Sequence, residues 1–247
     1  MSFCGVVCLA IAMRAAAAGG GPASSRDLFP GVRADISAKQ VEFDGVISPM
    51  LVKDERAPLF YLEVLTCSPN TREHETLLVS EAKPSNIHAA MLLVGFKPGE
   101  PGGWKLKEGR LEPVSPSGDR LNVRIVYLDK NGAEVVANPL DWVVNAKDKV
   151  RFIDAEVKAA AGGGASGPGW VFGGSRFVKK KIQGVEREVY DADGAGTIIG
   201  LTTFGSEVIG WSRTISPDAD VTQPEWIADL DRTPAAGTKV RVRLTRE

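Results

Sequence analysis

Residues 59–95 constrain the fold of this chain more than any other stretch, because two apolar runs enclose most of its reactive side chains. The run at residues 59–65 is almost continuously apolar and aromatic, which is typical of a well-buried strand. Both histidines, His74 and His88, follow it, together with Cys67. Titratable and soft groups between apolar runs indicate that any chemistry of this protein lies here.

A short helix is predicted at about residues 85–94. Pro84 and Ser85 mark its start, because the Ser85 hydroxyl can accept a hydrogen bond from an unpaired backbone N–H of the first turn. Gly95 stands where a C′ glycine is expected. The residues between them are good helix formers and are apolar nearly all round, which predicts a helix inside the core.

The other apolar patterns predict strands and one tight turn. Strands are expected at residues 36–52 (one or two), 76–79, 121–128, 170–178, 185–190 and 197–204. Asn131 and Gly132 predict a two-residue type I′ hairpin turn, since both tolerate positive φ. Near the end of the chain, Val240, Val242 and Leu244 alternate with charged residues, so one face of that strand is buried. The fold class expected is α+β, a mainly antiparallel sheet with one short core helix.

The N-terminal region predicts export. An apolar run at residues 3–13 precedes small residues with an Ala-x-Ala site, so residues 1–18 are interpreted as a signal peptide. The run is about half of the ~20 residues that a bilayer-crossing helix needs, so no stable transmembrane segment is expected. No Lys or Arg precedes the run, and an uncleaved leader is the alternative. The expected location is the periplasm or the cell surface.

The rest of the chain is expected to form one domain. Residues 19–34 are rich in Gly, Ala and Ser and predict a flexible tether. Residues 35–247 predict a single α+β domain, with a Gly- and Ala-rich loop at 159–169. The formal net charge of −1 gives no electrostatic reason to expect a nucleic-acid or anionic-membrane partner.

Seven polar residues form the candidate site, and two kinds of chemistry are conceivable for it. They are Cys67, Arg72, His74, Glu75, Lys83, Ser85 and His88. If the loop folds back on the helix, His74, His88, Cys67 and one Glu could approach a zinc site. A Cys–His nucleophilic pair is the second hypothesis. Because the spacings match no established metal pattern, no metal is expected.

The structural interpretation of the same residues is that His88 is a hydrogen-bonded core histidine and that Arg72 pairs with a carboxylate. The segment at residues 191–196, DADGAG, resembles the start of a calcium loop but lacks two of the acidic ligands, so a Gly-rich turn is expected.

Three motifs resemble the YdjY-domain family of bacterial proteins. They are CSPNTREHETLLV at residues 67–79, KPSNIHAAMLLVGFKPGEPG at 83–102 and WVFGGSRF at 170–177. The resemblance implies an exported protein without an assigned activity. Some members carry a ferredoxin-like label, but cluster binding generally takes four cysteine thiolates and the mature chain would keep only Cys67, which argues against an iron–sulfur cluster.

The leading hypothesis is therefore an exported binding or structural module with an unknown ligand or protein partner. The alternative is a metal- or thiol-dependent enzyme that uses Cys67, His74, Glu75 and His88. A third hypothesis is a small-molecule or peptide binder that uses exposed Trp104 and Trp170.

Overall fold

The computed structural model describes residues 25–54, 56, 58–161 and 167–247. The predicted signal peptide and residues 162–166 of the predicted loop lie outside this part of the chain. The described residues are mostly β, with 40% strand and 14% helix. The α+β prediction, with a mainly antiparallel sheet and one helix, is wrong.

The helices and strands follow one another in this order: β1 (Arg26–Phe29), β2 (Val32–Asp35), β3 (Gln40–Ile47), β4 (Val64–Cys67), β5 (Thr76–Val79), α1 (Pro84–Leu93), β6 (Gly103–Lys107), β7 (Arg110–Val114), β8 (Arg120–Leu128), β9 (Glu134–Ala137), β10 (Val143–Asn145), α2 (Phe152–Ala160), β11 (Trp170–Val171), β12 (Phe177–Ile182), β13 (Val185–Tyr190), α3 (Asp191–Ala195), β14 (Thr197–Gly200), β15 (Gly210–Trp211), β16 (Trp226–Ala228) and β17 (Lys239–Arg246). Strand β1, and β2 except its last residue, Asp35, lie within the predicted tether.

The main sheet has eleven strands, eight of which follow the order β14-β4-β5-β3-β17-β8-β11-β15. Strand β17 lies near its middle and pairs antiparallel with both β3 and β8. Its alternation is as predicted, since Val240, Val242 and Leu244 are buried. Strands β4 and β5 are parallel, which makes the sheet mixed.

The two ends of this sheet meet. Ile209, just before β15, donates its N–H to Ile198 O of β14 at 3.0 Å, and Gly200 N donates to Ile209 O at 3.0 Å. The sheet is therefore nearly closed and barrel-like. The sequence misses this because periodicity reports which face of a strand is buried and not which strands pair.

Helix α1 forms almost where the sequence predicts it and ends at Leu93, and Gly95 follows the C-cap residue Val94 with a φ of 90°. Its burial differs from the prediction. Ile87 and Met91 are fully buried, but Leu92 is 47% exposed and Leu93 52%. The helix packs against β2, β3 and α3, but its side at Leu92 and Leu93 meets solvent, so the prediction of a helix apolar and buried nearly all round is wrong.

The turn between β8 and β9 also differs from the prediction. The hairpin is confirmed, but of its turn residues only Gly132 has positive φ, at 79°. The Asp129 carboxylate accepts the N–H groups of Asn131 and Ala133 at 2.8 and 2.9 Å. The turn is therefore longer than type I′, because the Asp129 side chain stabilises a three-residue loop that ends in a left-handed glycine.

Three two-stranded sheets lie outside the main one, β10–β16 and the hairpins β6–β7 and β12–β13. The two hairpins differ from β10–β16 in their exposure. Most side chains of hairpins β6–β7 and β12–β13 are exposed on both faces, so these hairpins project into solvent. No helix in the described part of the chain combines the length and the apolar character that crossing a bilayer requires.

Candidate functional site

Cys67 is a core residue at the end of β4 and is 0% exposed. Burial raises the pKa of its thiol, although hydrogen bonds from Thr76, Arg72 and Thr71 oppose the shift. A neutral thiol without solvent access is neither a nucleophile nor a metal ligand. The position of Cys67 is therefore that of a buried, unreactive cysteine and not that of a reactive thiol.

Two glutamates lie side by side where the parallel strands begin. Glu63 immediately precedes β4 and Glu75 immediately precedes β5, and the Glu63 N–H donates to the Glu75 carbonyl at 3.0 Å. Burial, with the charge of Glu75 and a hydrogen bond to it, raises the pKa of Glu63 to about 7. Arg72 donates to Glu75 Oε1 at 2.6 Å and lies 3.8 Å over the Phe204 ring. The predicted Arg72–carboxylate pair is confirmed.

His74 is exposed, and its Nε2 lies 3.8 Å from Glu75 Oε2. His88 belongs to another network, described below. The structure thus gives the two histidines different partners. No group of three His, Cys, Asp or Glu side chains within the described ranges is placed to hold a metal ion.

The start of α1 is held by Asp193 of α3. The Ser85 N–H donates to Asp193 Oδ1 at 2.8 Å, and Lys83 Nζ lies 3.1 Å from Oδ2. Lys83 is the N-cap residue and Pro84 opens the helix, so the prediction of Ser85 as the N-cap is wrong. Pro84 has the φ of a first helical residue, and the carboxylate complements the positive end of the helix dipole.

His88 is joined to the loop before β12. Its Nδ1 lies 2.9 Å from Gly174 O and 2.8 Å from the Tyr190 hydroxyl, which donates to the same carbonyl at 2.7 Å. Burial lowers the pKa of His88, so the ring is neutral at pH 7. Because a carbonyl only accepts, the bond to Gly174 puts the proton on Nδ1. His88 therefore has the hydrogen-bonded role that the structural interpretation predicts.

The loop at residues 173–176 contains two consecutive residues with left-handed backbone conformation. Gly174 has φ 84°, and a Cβ there would lie 2.7 Å from Pro98 Cβ and 3.2 Å from His88 Cε1. Ser175, with φ 54°, is buried and donates its hydroxyl to Ser206 O at 2.6 Å. The WVFGGSRF motif is thus explained by close packing and hydrogen bonding.

The DADGAG segment forms the short helix α3 and the left-handed Gly196 that ends it. Arg176 Nε lies 3.3 Å and Lys180 Nζ 3.1 Å from the Asp191 carboxylate. Asp191 and Asp193 thus pair with cations of neighbouring segments. This helix replaces the Gly-rich turn expected there.

The structure divides the predicted site into two groups. Cys67, Arg72, His74 and Glu75 lie around the start of β4 and β5, whereas Lys83, Ser85 and His88 lie on α1. Sequence reasoning missed Glu63, Tyr190 and Asp193 as partners. Glu63 carried a signal, as the one charged residue in an apolar run, and Asp193 stood in a motif that suggested calcium instead.

A different feature, hairpin β6–β7, presents an apolar face to solvent. Its register pairs Leu106 with Leu111 and Trp104 with Pro113, so these four side chains share one face. Leu106 is 73% exposed, Leu111 68% and Trp104 38%. The opposite face carries charged residues, among them Lys105 and Lys107. Trp170, the other tryptophan proposed for binding, is buried.

Hairpin β12–β13 also carries an exposed aliphatic pair, but its face is not wholly apolar. Ile182 pairs with Val185 directly beside the turn, and both are exposed. The pair of Lys180 and Arg187 lies two positions further from the turn, and its side chains therefore share the face of Ile182 and Val185. Both hairpins therefore carry an exposed aliphatic pair near the tip with basic side chains close by.

Fold and site together define a mostly β protein that is built on a nearly closed mixed sheet. Residues of the three sequence motifs connect its loops through hydrogen bonds and ion pairs. The chain belongs to the YdjY domain family, whose sequence model matches residues 32–245. No curated protein and no solved structure matches it.

Proposed function

We propose that this protein is an exported, non-catalytic binding module that contacts its partner through the tips of hairpins β6–β7 and β12–β13. The exposed Leu106–Leu111 pair carries the proposal. An isolated two-stranded hairpin is marginally stable in water, and an exposed aliphatic pair across its strands adds only ~0.2–1 kcal/mol to its folding. Such a surface is typical of a contact site.

The state of the reactive side chains supports binding over catalysis. A buried neutral thiol at Cys67 gives a thiol enzyme no nucleophile. The Nδ1 atom of His88 is already committed to Gly174. His74 stands apart on the surface beside Glu75.

Export is supported by the leader-like run at residues 3–13. The mature N-terminus is expected near Gly19, in protein recovered outside the cytoplasm. N-terminal sequencing tests this, and recovery of only intact Met1 chains from the cytosol would refute export.

Site-specific photo-crosslinking in the producing cells tests the contact surface. A photoreactive residue replaces Leu106 in one variant and Leu128, a comparably exposed leucine on β8, in the control. We expect discrete adducts, to protein or to lipid, from position 106 and none from position 128. Equal crosslinking from the two positions would refute the proposal.

A further inference from the structure

We infer that the partner of the two hairpins is an anionic lipid surface, an inference that rests on the proposed function. The hairpins would insert their aliphatic tips between lipid headgroups while the main sheet stays outside the bilayer.

One face of hairpin β6–β7 carries the side chains that a lipid interface requires, with the leucines further from the base than the tryptophan. Leu106 and Leu111 form the second pair from the turn, behind Lys107 and Arg110, whose side chains lie on the opposite face. Trp104 lies on the face of the leucines, two residues closer to the base, or ~7 Å at the rise of a strand. Interfacial segments bury their apolar face by ~5–10 Å. Leucines at that depth would place Trp104 among the headgroups, where tryptophan is enriched.

The charge of the hairpins matches an anionic surface. They carry seven basic side chains, Lys105, Lys107, Arg110, Lys179, Lys180, Lys181 and Arg187, against four acidic ones, Glu108, Glu112, Glu186 and Glu188. The chain as a whole has a formal net charge of −1. Positive charge is therefore concentrated on the two hairpins, where each basic residue near an anionic leaflet is favourable.

The bases of the two hairpins lie side by side, so both hairpins leave the main sheet from neighbouring points. A Cβ at Gly173 would lie 2.9 Å from Pro101 Cα, and one at Gly205 would lie 3.4 Å from Gly102 O and 3.9 Å from Arg176. Residues 101–102 lead into β6, and 173–176 lead into β12.

Composition favours lipid over a protein partner. The centres of protein interfaces are enriched in aromatic residues, Met and Arg and depleted of Lys. The tips here are aliphatic and surrounded mainly by lysines. Aliphatic side chains with a lysine border are instead typical of segments that lie in the headgroup region.

Trp104 supplies a direct readout, because the other four tryptophans are buried. The full chain is mixed with vesicles of phosphatidylglycerol and phosphatidylethanolamine whose acyl chains carry bromine, a contact quencher of tryptophan. We expect quenching of Trp104 that salt weakens and that phosphatidylcholine vesicles give less strongly.

The matched variants are the double substitution Leu106→Ser with Leu111→Ser and the control Leu128→Ser. The double variant is expected to bind at least ~tenfold more weakly, because two buried aliphatic side chains are lost from the interface, and the control to bind as the unmodified chain does. All variants are compared with the same N-terminus, so the difference in binding isolates the hairpins. Lys105→Glu with Lys107→Glu is a second test, also expected to weaken binding ~tenfold or more.

Equal binding of the unmodified chain and both double variants would overturn the lipid inference. If crosslinking at position 106 then still yields a protein adduct, the proposed binding function stands and only the partner is wrong. If neither vesicles nor crosslinking singles out position 106, both proposals fail.

Discussion

Cys67 and His88 belong to residue types that are often catalytic, but in this protein both make structural contacts. Cys67 is enclosed by the sheet, and His88 holds a loop from 86 residues further along the chain. Glu63 differs from both, because its neighbour Glu75 and its burial oppose its ionisation. Its protonation is therefore coupled to folding.

Replacing Glu63 with Gln should remove a pH dependence of stability. The pKa of Glu63 rises from 4.5 to about 7 in the folded protein, so the folded state binds the extra proton. This contribution is fully present below about pH 4.5 and is lost as the pH rises through about 7. The glutamine side chain stays neutral at every pH in this range, so the variant lacks that loss.

Urea denaturation on both sides of this pH window measures the effect. The difference in unfolding free energy between the unmodified protein and the variant should move in favour of the variant as the pH rises. A difference that does not depend on pH would show that folding leaves the pKa of Glu63 unchanged.

At the scale of one element, the composition of α1 does not show which of its faces is buried. Its residues are apolar nearly all round, yet only one face meets β2 and β3, so Met91 is buried while Leu92 is half exposed. Burial here follows from the position of the neighbouring strands.

Alanine substitutions along α1 should separate its two faces. Met91→Ala should cost ~2–5 kcal/mol of unfolding free energy, because it leaves a cavity in the core. Leu92→Ala should change that free energy by less than ~0.5 kcal/mol, as surface substitutions usually do. Chemical denaturation measures both, and similar losses at the two positions would mean that the helix is buried all round.

At the scale of the whole molecule, closure of the sheet depends on the backbone of Ile209. Its N–H and carbonyl join β14 to the segment that leads into β15. The strands so joined lie at opposite ends of the sheet order. A loss of closure should therefore destabilise both ends of the sheet, β14 and β15.

Proline at position 209 should open the sheet. Ile209→Pro removes the N–H that Ile198 O accepts, whereas Ile209→Ala keeps it and loses only the side chain. The proline variant should be less stable than the alanine variant by ~1–3 kcal/mol, because a buried carbonyl loses its partner. Amide hydrogen exchange in β14 should also be faster in the proline variant. Identical exchange in the two variants would contradict closure through this bond.

The sequence by itself determined the local features of this protein. The alternation at residues 240–244 predicted the buried face of β17, and Gly95 marked the end of α1. Three motifs indicated the family. Each of these signals lies within a short segment, where side-chain period and backbone preference act directly.

Only the tertiary structure decided the rest. The mostly β, nearly closed sheet depends on which strands pair, and the same alternation is compatible with many pairings. Asp193 at the start of α1 and Gly174 beside His88 are likewise distant in sequence from the groups they bind. Whether Cys67 or Leu106 meets solvent depended on the neighbours that folding placed over it, because burial is set by the packing of distant segments.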